Sequence, residues 1–483
     1  MTTTQTQFET VIGLEVHLQF KTNTKIFCGC ANLFGKAPNT QTCPVCLGLP
    51  GSLPVLNKKA LDYAIKVALA LNCEVNPYIK FDRKNYYYPD LPKGYQISQF
   101  DKPIARNGYI LIQKENGEQK KIRIHRAHLE EDAGKLIHDD EINASLVDYN
   151  RTGTPLFEIV TEADIRSPQE AYDYLTILKL TLQYLNVSDC DMEKGSLRCD
   201  ANVSIREKGQ EKFGTKTEVK NLNSFKAVKA ALEYEEIRQA KLILAGERII
   251  QQTLLWDDAK MITLPMRSKE EAHDYRYFPE PDLVPFMIER SGIDNIKKFL
   301  PELPQQKLER FVKQYNLSQY DANVLIQDQM LANFFEECAK LFPDAKKIVN
   351  WITGALLFEL NERKKDITES GLKPAHLVAI IKKVEDQTIS NLIGKDVLKT
   401  VLDTQKDPEA IITEGGLAQV SDDGALTAIV DGIISENKTV VDQIKAGKES
   451  AMGFLVGQAM KKTQGKANPK RIGDIIKRRL LNA

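Results

Sequence analysis

The chain has 483 residues, 42% of them hydrophobic and 27% charged, the balance of a globular protein rather than a disordered one. Lys+Arg and Asp+Glu number 66 each, so the net charge of zero excludes a uniformly basic nucleic-acid coat but not a local patch. No apolar run reaches about 18 residues, so no membrane helix is expected, and roughly 100–200 residues per domain predicts two to four domains.

The opening MTTTQTQFETVIGLEVH has neither the basic nor the apolar stretch of a secretory leader, and it is too acidic and Arg-poor for a mitochondrial transit peptide. A cytoplasmic location is expected, with the eight cysteines as thiols or metal ligands. Val11–Phe20 then alternates with period two, as a strand does. Leu14, Val16, Leu18 and Phe20 share one face, and Gly13, Glu15, His17 and Gln19 the other. Glu15 and His17 so project together, toward a metal, a phosphate or plain solvent.

Cys28, Cys30, Cys43 and Cys46 follow, as C-G-C and C-P-V-C separated by twelve residues. Two close pairs across a turn-rich loop suit the four thiolates of a closed structural zinc site. The alternative is a redox Cys-Pro-Val-Cys with two bystanders. Cys73, Cys190, Cys199 and Cys338 are scattered and read as core or surface thiols.

Phe81–Tyr95, FDRKNYYYPDLPKGY, interleaves Arg83, Lys84 and Lys93 with tyrosines, and HDYRYFPEPD at His273–Asp282 has the same character. Cations reach phosphates and rings stack on bases, although a packed Tyr/Pro-rich loop would look alike. Glu130, Glu131 and Asp132 are consecutive in HLEEDAGK. Three like charges repel unless they are solvated or hold a cation. Glu158 sits in the apolar TPLFEIV, where burial demands a cationic partner.

Ser167-Pro168-Gln169-Glu170 predicts a capping box that opens a helix reaching about Leu185. Leu197–Arg206 alternates again, with Arg198, Asp200, Asn202, Ser204 and Arg206 on one face. After a polar loop, Lys216, Glu218 and Lys220 predict a second strand, making a hairpin with a mixed-charge face. Carboxylates for Mg²⁺ beside cations for phosphate are what a nucleotide site needs; a salt-bridged solvent face is the plainer alternative. Asn223 or Ser224 caps a further helix that ends near Gly246.

From about residue 295 the pattern is helical, with breaks at Phe299–Gln305 and Thr404–Gly416. The expected organisation is a catalytic domain at 1–294, a helical domain at 295–406 and a helical tail at 407–483. From Ala451 to Ala483 the tail carries Lys461, Lys462, Lys466, Lys470, Arg471, Lys477, Arg478 and Arg479 against Asp474 alone, a face that could neutralise phosphates. The chain has no G-x-x-x-x-G-K-[ST], no G-x-G-x-x-G in a strand-to-helix setting, no G-x-S-x-G and no H-E-x-x-H. ATP, if bound, would sit on an antiparallel sheet rather than in a phosphate loop.

The strings VIGLEVHLQ, KFDRKNYYYPDLPKGYQISQFD, HLEEDAGK, NRTGTPLFEIVTEADIRSP, MEKGSLRCDANVSI, TEVKNLNSF, DYRYFPEPDLVP, AMGFLVGQAMK and GKANP resemble, in family order and over nearly the whole chain, the B subunits of bacterial aspartyl/glutamyl-tRNA(Asn/Gln) amidotransferases. The resemblance implies an α+β fold. Its catalytic domain would have an antiparallel sheet like that of glutamine synthetase and guanido kinases, followed by an all-helical domain and a small helical tail that binds tRNA. It implies ATP-dependent activation of the side-chain carboxylate of Glu-tRNA(Gln) or Asp-tRNA(Asn). Amidation would follow, by ammonia from a glutamine-hydrolysing amidase (the A subunit), in a heterotrimer completed by the small C subunit. By the same resemblance Glu15, His17, Glu130, Glu131, Glu158 and Glu218 surround Mg²⁺. Lys84, Arg198 and Lys220 face ATP or substrate, with Asp200 among them. Some members lack the four cysteines, so zinc is not needed for the chemistry. A non-catalytic, zinc-containing tRNA scaffold is the competing expectation.

Overall fold

The computed structural model describes residues 7–114, 117–139, 141–266, 275–418, 423–445, 449–463, 467 and 469–481. Residues 1–6 of the opening stretch, His273 and Asp274 of the second aromatic segment, and Gly465, Lys466 and Asn468 of the tail lie outside these. The chain divides into two compact units, Met1–Leu303 and Pro304–Ala483.

The first unit opens with strand β1 (Phe8–Gln19), followed by the short helix α1 (Pro44–Leu47) and helix α2 (Lys58–Ala70). Then come β2 (Glu74–Val75), β3 (Tyr78–Ile79), β4 (Asp82–Asn85), β5 (Tyr95–Ser98), β6 (Ala105–Gln113) and β7 (Gln119–Glu131). The hairpin of β8 (Lys135–Asp139) and β9 (Ala144–Asp148) precedes β10 (Pro155–Thr161) and helix α3 (Pro168–Tyr184). The unit continues with β11 (Leu197–Glu207), β12 (Thr217–Lys220), helix α4 (Phe225–Leu244), β13 (Thr253–Asp257), β14 (Ile262–Pro265), β15 (Phe278–Pro279) and β16 (Phe286–Met287).

Among the described residues nine strands form one sheet, in the order β14-β13-β12-β11-β1-β10-β7-β6-β2. Its pairings are antiparallel except β12 with β13. Alternation builds the two faces. Leu14, Val16 and Leu18 of β1, Phe157 and Ile159 of β10, and Cys199 and Ala201 of β11 are buried in one continuous core. That core also takes Leu61 and Ile65 of α2, Leu175 and Leu178 of α3, and Val228 and Leu232 of α4. Helices so cover one sheet face, and the polar set of each strand is left on the other. Cys73, Cys190 and Cys199 are buried thiols in the same core, as expected of bystanders.

Both anticipated helices form. Ser167 caps α3 by accepting from the Glu170 backbone N–H at 3.2 Å. The reciprocal half of the box is redirected: the Glu170 carboxylate accepts from the Arg166 N–H at 2.7 Å and from Lys120 at 2.6 Å. Ser224 rather than Asn223 caps α4, accepting from Ala227 N–H at 3.0 Å.

The two aromatic segments meet. β4 pairs with β5 and, through Phe278 and Pro279, with β15. Tyr86 packs edge-on against Tyr275, Phe100 stacks on Tyr277 at 4.1 Å, and Arg83 lies over Tyr95 while its guanidinium bonds both Glu280 oxygens.

In the second unit the described residues are helical. Phe311, Tyr315 and Phe335 interlock with centroids 5.1–5.6 Å apart. The stretch Thr404–Gly416, expected as a break, contains the helix Pro408–Glu414. Asp407 caps it, and its Ile411 and Ile412 are buried. A separate core gathers Leu426, Val430, Ile433, Leu455, Ile472 and Ile476 farther on.

Candidate active site

β1 lies between β10 and β11, and the register sets polar side chains in rows. His17 lies opposite Arg198 on one side and Glu158 on the other, and Glu158 opposite His128. Glu15 lies opposite Asp200. The first row is knit by ion pairs. His17 Nε2 is 3.4 Å from Glu158 and 3.6 Å from Glu15. His128 Nε2 is 3.4 Å from Glu158 and 3.5 Å from Glu130. Ligand atoms of His17, Glu130 and Glu158 lie within 4.8 Å of one another, and so do those of Glu15, His17 and Asp200. His17 belongs to both groups.

The field here is negative. Burial works against the His17 imidazolium, but Glu158, Glu130 and Glu15 outweigh it and push its pKa up to about 9. Burial, then the charge of Glu158, raises Glu15. Glu158 is 6% exposed; burial opposes its charge, yet His128, His17 and Lys84 hold it well below the usual carboxylate range. Lys84 is likewise raised against burial, chiefly by Glu130. Its Nζ lies 4.8 Å over Tyr275 and 5.9 Å over Tyr86, so the aromatic segments hold this lysine against the carboxylates.

The other expected residues fall on either side. Lys220 reaches Asp200 at 3.3 Å and Glu218 at 3.2 Å, and Thr253 donates to Glu218 at 2.8 Å. Arg198 donates to Asp132 at 2.8 Å, and that pair raises Arg198. Glu131 is not brought to the cluster. Strand parity points Glu130 toward His128 and turns Glu131 the other way. There Glu131 pairs with Lys93 and accepts from Ile97 N–H at 2.9 Å.

His128 is a site residue that the sequence pattern does not single out, and Asp132 is marked there only as the last of three consecutive acids. His128 shares parity with Glu130, and that is the one local signal for it. Asp132, 4% exposed, gathers Arg198, Gln19 at 2.6 Å and Arg151 at 3.6 Å. These partners come from distant parts of the chain, and no local pattern marks them.

The four clustered cysteines converge, their sulfurs within 4.8 Å. α1 makes this possible: Cys43 precedes it, Cys46 ends its first turn, and Gly48 closes it at φ 68°. A Cβ on Gly48 would lie 2.3 Å from Lys93 Cγ, so the loop seats directly on the lysine that holds Glu131. Cys46 accepts from Cys43 N–H at 3.2 Å and from the buried Lys25 at 3.7 Å. A hydrogen bond with Cys28, opposed by burial, is the main cause lowering the Cys46 thiol to about 5. Four converging sulfurs, with thiolate-stabilising donors at Cys46, fit a zinc ion in a closed site.

Residues 10–294 match the family described as the GatB/GatE catalytic domain, and residues 333–480 the GatB domain. The B subunit of an aspartyl/glutamyl-tRNA(Asn/Gln) amidotransferase from Carboxydothermus hydrogenoformans is 56% identical over 477 residues, 98% of this chain and 99% of that one. The B subunits so named from Thermodesulfovibrio yellowstonii and Persephonella marina are each 55% identical, over 97% of this chain and 98% and 99% of theirs. The chain belongs to this family of amidotransferase B subunits, and so forms part of a ligase. Among the described residues no helix is long and apolar enough to cross a membrane.

Proposed function

We propose that this chain activates the side-chain carboxylate of Glu-tRNA(Gln), Asp-tRNA(Asn) or both with ATP, and presents the product to ammonia. The observation that supports this best is the convergence of His17, Glu130 and Glu158 within 4.8 Å on a sheet face that also carries Lys84, Arg198 and Lys220. Oxide is too poor a leaving group for ammonia to displace from a carboxylate. A carboxylate oxygen therefore attacks the γ-phosphorus of ATP. The new P–O bond forms as the bond to the β-phosphate oxygen breaks and ADP departs. Ammonia then bonds to the carbonyl carbon, the C–O bond to phosphate breaks, and phosphate leaves with the surplus ammonia proton.

Glu15, His17, Glu130 and Glu158 would hold Mg²⁺, which would supply positive charge to offset that of the phosphates. Glu218 and Asp200 orient Lys220 toward the same space, and Glu131 supports the neighbouring loop. Lys84, Arg198 and Lys220 meet phosphate oxygens or the substrate carboxylate. A non-catalytic tRNA scaffold would leave the Glu15/His17 and Asp200/Glu218 faces unexplained. Ammonia comes from an amidase partner, the A subunit, and the small C subunit completes the complex. The tail 407–483, beyond the helical domain 295–406, holds the tRNA in the cytoplasm, and zinc staples the cysteine loop.

Isotope transfer tests the activation step. With ¹⁸O in the glutamyl side-chain carboxylate, amidation by the assembled enzyme should deliver one ¹⁸O per turnover to inorganic phosphate. Amide formed with unlabelled phosphate would overturn the acyl-phosphate route.

A further inference from the structure

The sheet face holds a guanidinium that the chemistry above does not use. Arg126 lies on β7 with the parity of His128 and Glu130, opposite Val160 of β10, which in turn lies opposite Glu15 of β1. Its Nε is buried and meets no hydrogen-bond partner among the described residues. Other arginines of this unit are engaged: Arg123 by Asp164, Arg151 by two carbonyls and Arg206 by Glu9, while Arg198 is held by Asp132 through a terminal nitrogen and shares with Arg126 a buried Nε without a partner. A buried N–H left unpaired costs about 1–3 kcal/mol, so its retention asks for a ligand.

Two further observations give that ligand its sign and shape. Arg126 lies directly opposite Arg106 of β6, and like charges facing each other across a sheet are destabilising unless an anion lies between or beside them. Lys84 is also outside ion-pair distance of any carboxylate among the described residues. The positive charges of Lys84 and Arg126 both act on the Tyr277 phenol, against the burial that raises it. Arg126 is two residues, about 7 Å, along β7 from His128. Two cations at separate points of the site suit an anion that is extended and charged along its length. A nucleoside triphosphate is such a ligand. A lone substrate carboxylate is not, since it carries a single charge at one end.

We propose that Arg126, together with Lys84, binds the phosphate chain of the nucleotide, its guanidinium fork meeting two phosphate oxygens. This rests on the ATP-dependent reading above. The test is steady-state kinetics of the assembled heterotrimer, with ammonium chloride as nitrogen donor, varying ATP and aminoacyl-tRNA in turn. Arg126→Gln should raise KM for ATP about tenfold or more, the size of a lost charged hydrogen-bond pair, and leave KM for aminoacyl-tRNA within about twofold of wild type. Arg126→Lys, which keeps the charge and loses the fork, should fall between. A folded Arg126→Gln with unchanged KM for ATP, or with the rise in KM for aminoacyl-tRNA instead, would overturn the proposal. Should the glutamine variant fail to fold, wild-type KM for ATP in Arg126→Lys would do so. Wild-type enzyme that makes amide without ATP would sink the function proposed above and this assignment together; ATP-dependent wild type with an indifferent Arg126 sinks this assignment alone.

Discussion

Glu158 has an apolar neighbour on each side in the chain and two histidines across the sheet. Buried carboxylates survive only with such partners, and the same logic applies at Glu235 on α4. There Arg238 holds the carboxylate at 2.7 and 2.8 Å, while Thr263 and Thr217 donate at 2.6 and 3.1 Å. Burial opposes the charge, but these partners lower the pKa below its ordinary 4.5. A depressed folded pKa means that stability is present above about pH 4.5 and lost as pH falls through the folded value. Glu235→Gln should therefore lower unfolding free energy by about 1–3 kcal/mol near neutrality. The gap to wild type should close in more acidic buffer. Denaturant titrations at pH 7 and pH 4 check this; an equal deficit at both would show that the charge contributes nothing. Residue identity alone reveals much here, because an acid in an apolar strand is visible in sequence. What it cannot reveal is direction: Glu130 and Glu131 look alike in HLEEDAGK, and only strand parity separates them.

Among the elements, β1 is the most legible part of the chain. Its alternation places Glu15 and His17 on one face with no knowledge of the partner strands. The pairing of β1 with both β10 and β11 is not legible, because it joins segments more than a hundred residues apart and leaves no local trace. His128 escapes for that reason, as do the partners of Asp132. The cysteine loop is easier, since all four sulfurs lie in one short segment with turn formers between them. A zinc ion there predicts close to one zinc per chain by elemental analysis, falling well below that in Cys46→Ser. Wild-type protein that is zinc-free and fully stable would rule the metal out. The break expected at Thr404–Gly416 shows the limit of punctuation. Asp407 and Pro408 are as good at opening a helix as at interrupting one, and Ile411 and Ile412 supply the buried face that makes it a helix.

The whole molecule pairs a neutral net charge with an uneven distribution of it. Carboxylates crowd the sheet face of the first unit, while Lys461, Lys462, Lys470, Arg471, Lys477, Arg478 and Arg479 gather on the last two helices of the second. Lys470, Arg471, Lys477, Arg478 and Arg479 are exposed. If these meet the tRNA body, deleting 407–483 should weaken tRNA binding and flatten its salt dependence, about one unit of log–log slope for each phosphate no longer neutralised. Filter binding at several salt concentrations reads both, and an unchanged slope would free the tail from that role. The proposed chemistry lies in the other unit, with carboxylate activation on the His17–Glu158 row. Its sharpest test is amide formation on radiolabelled Glu-tRNA(Gln) by the assembled enzyme, with ATP, Mg²⁺ and ammonium chloride replacing glutamine. Glu158→Gln should fold, bind tRNA and lose about a hundredfold or more of this activity. A folded Glu158→Gln enzyme with wild-type ammonia-dependent activity would contradict that assignment and move the chemistry elsewhere.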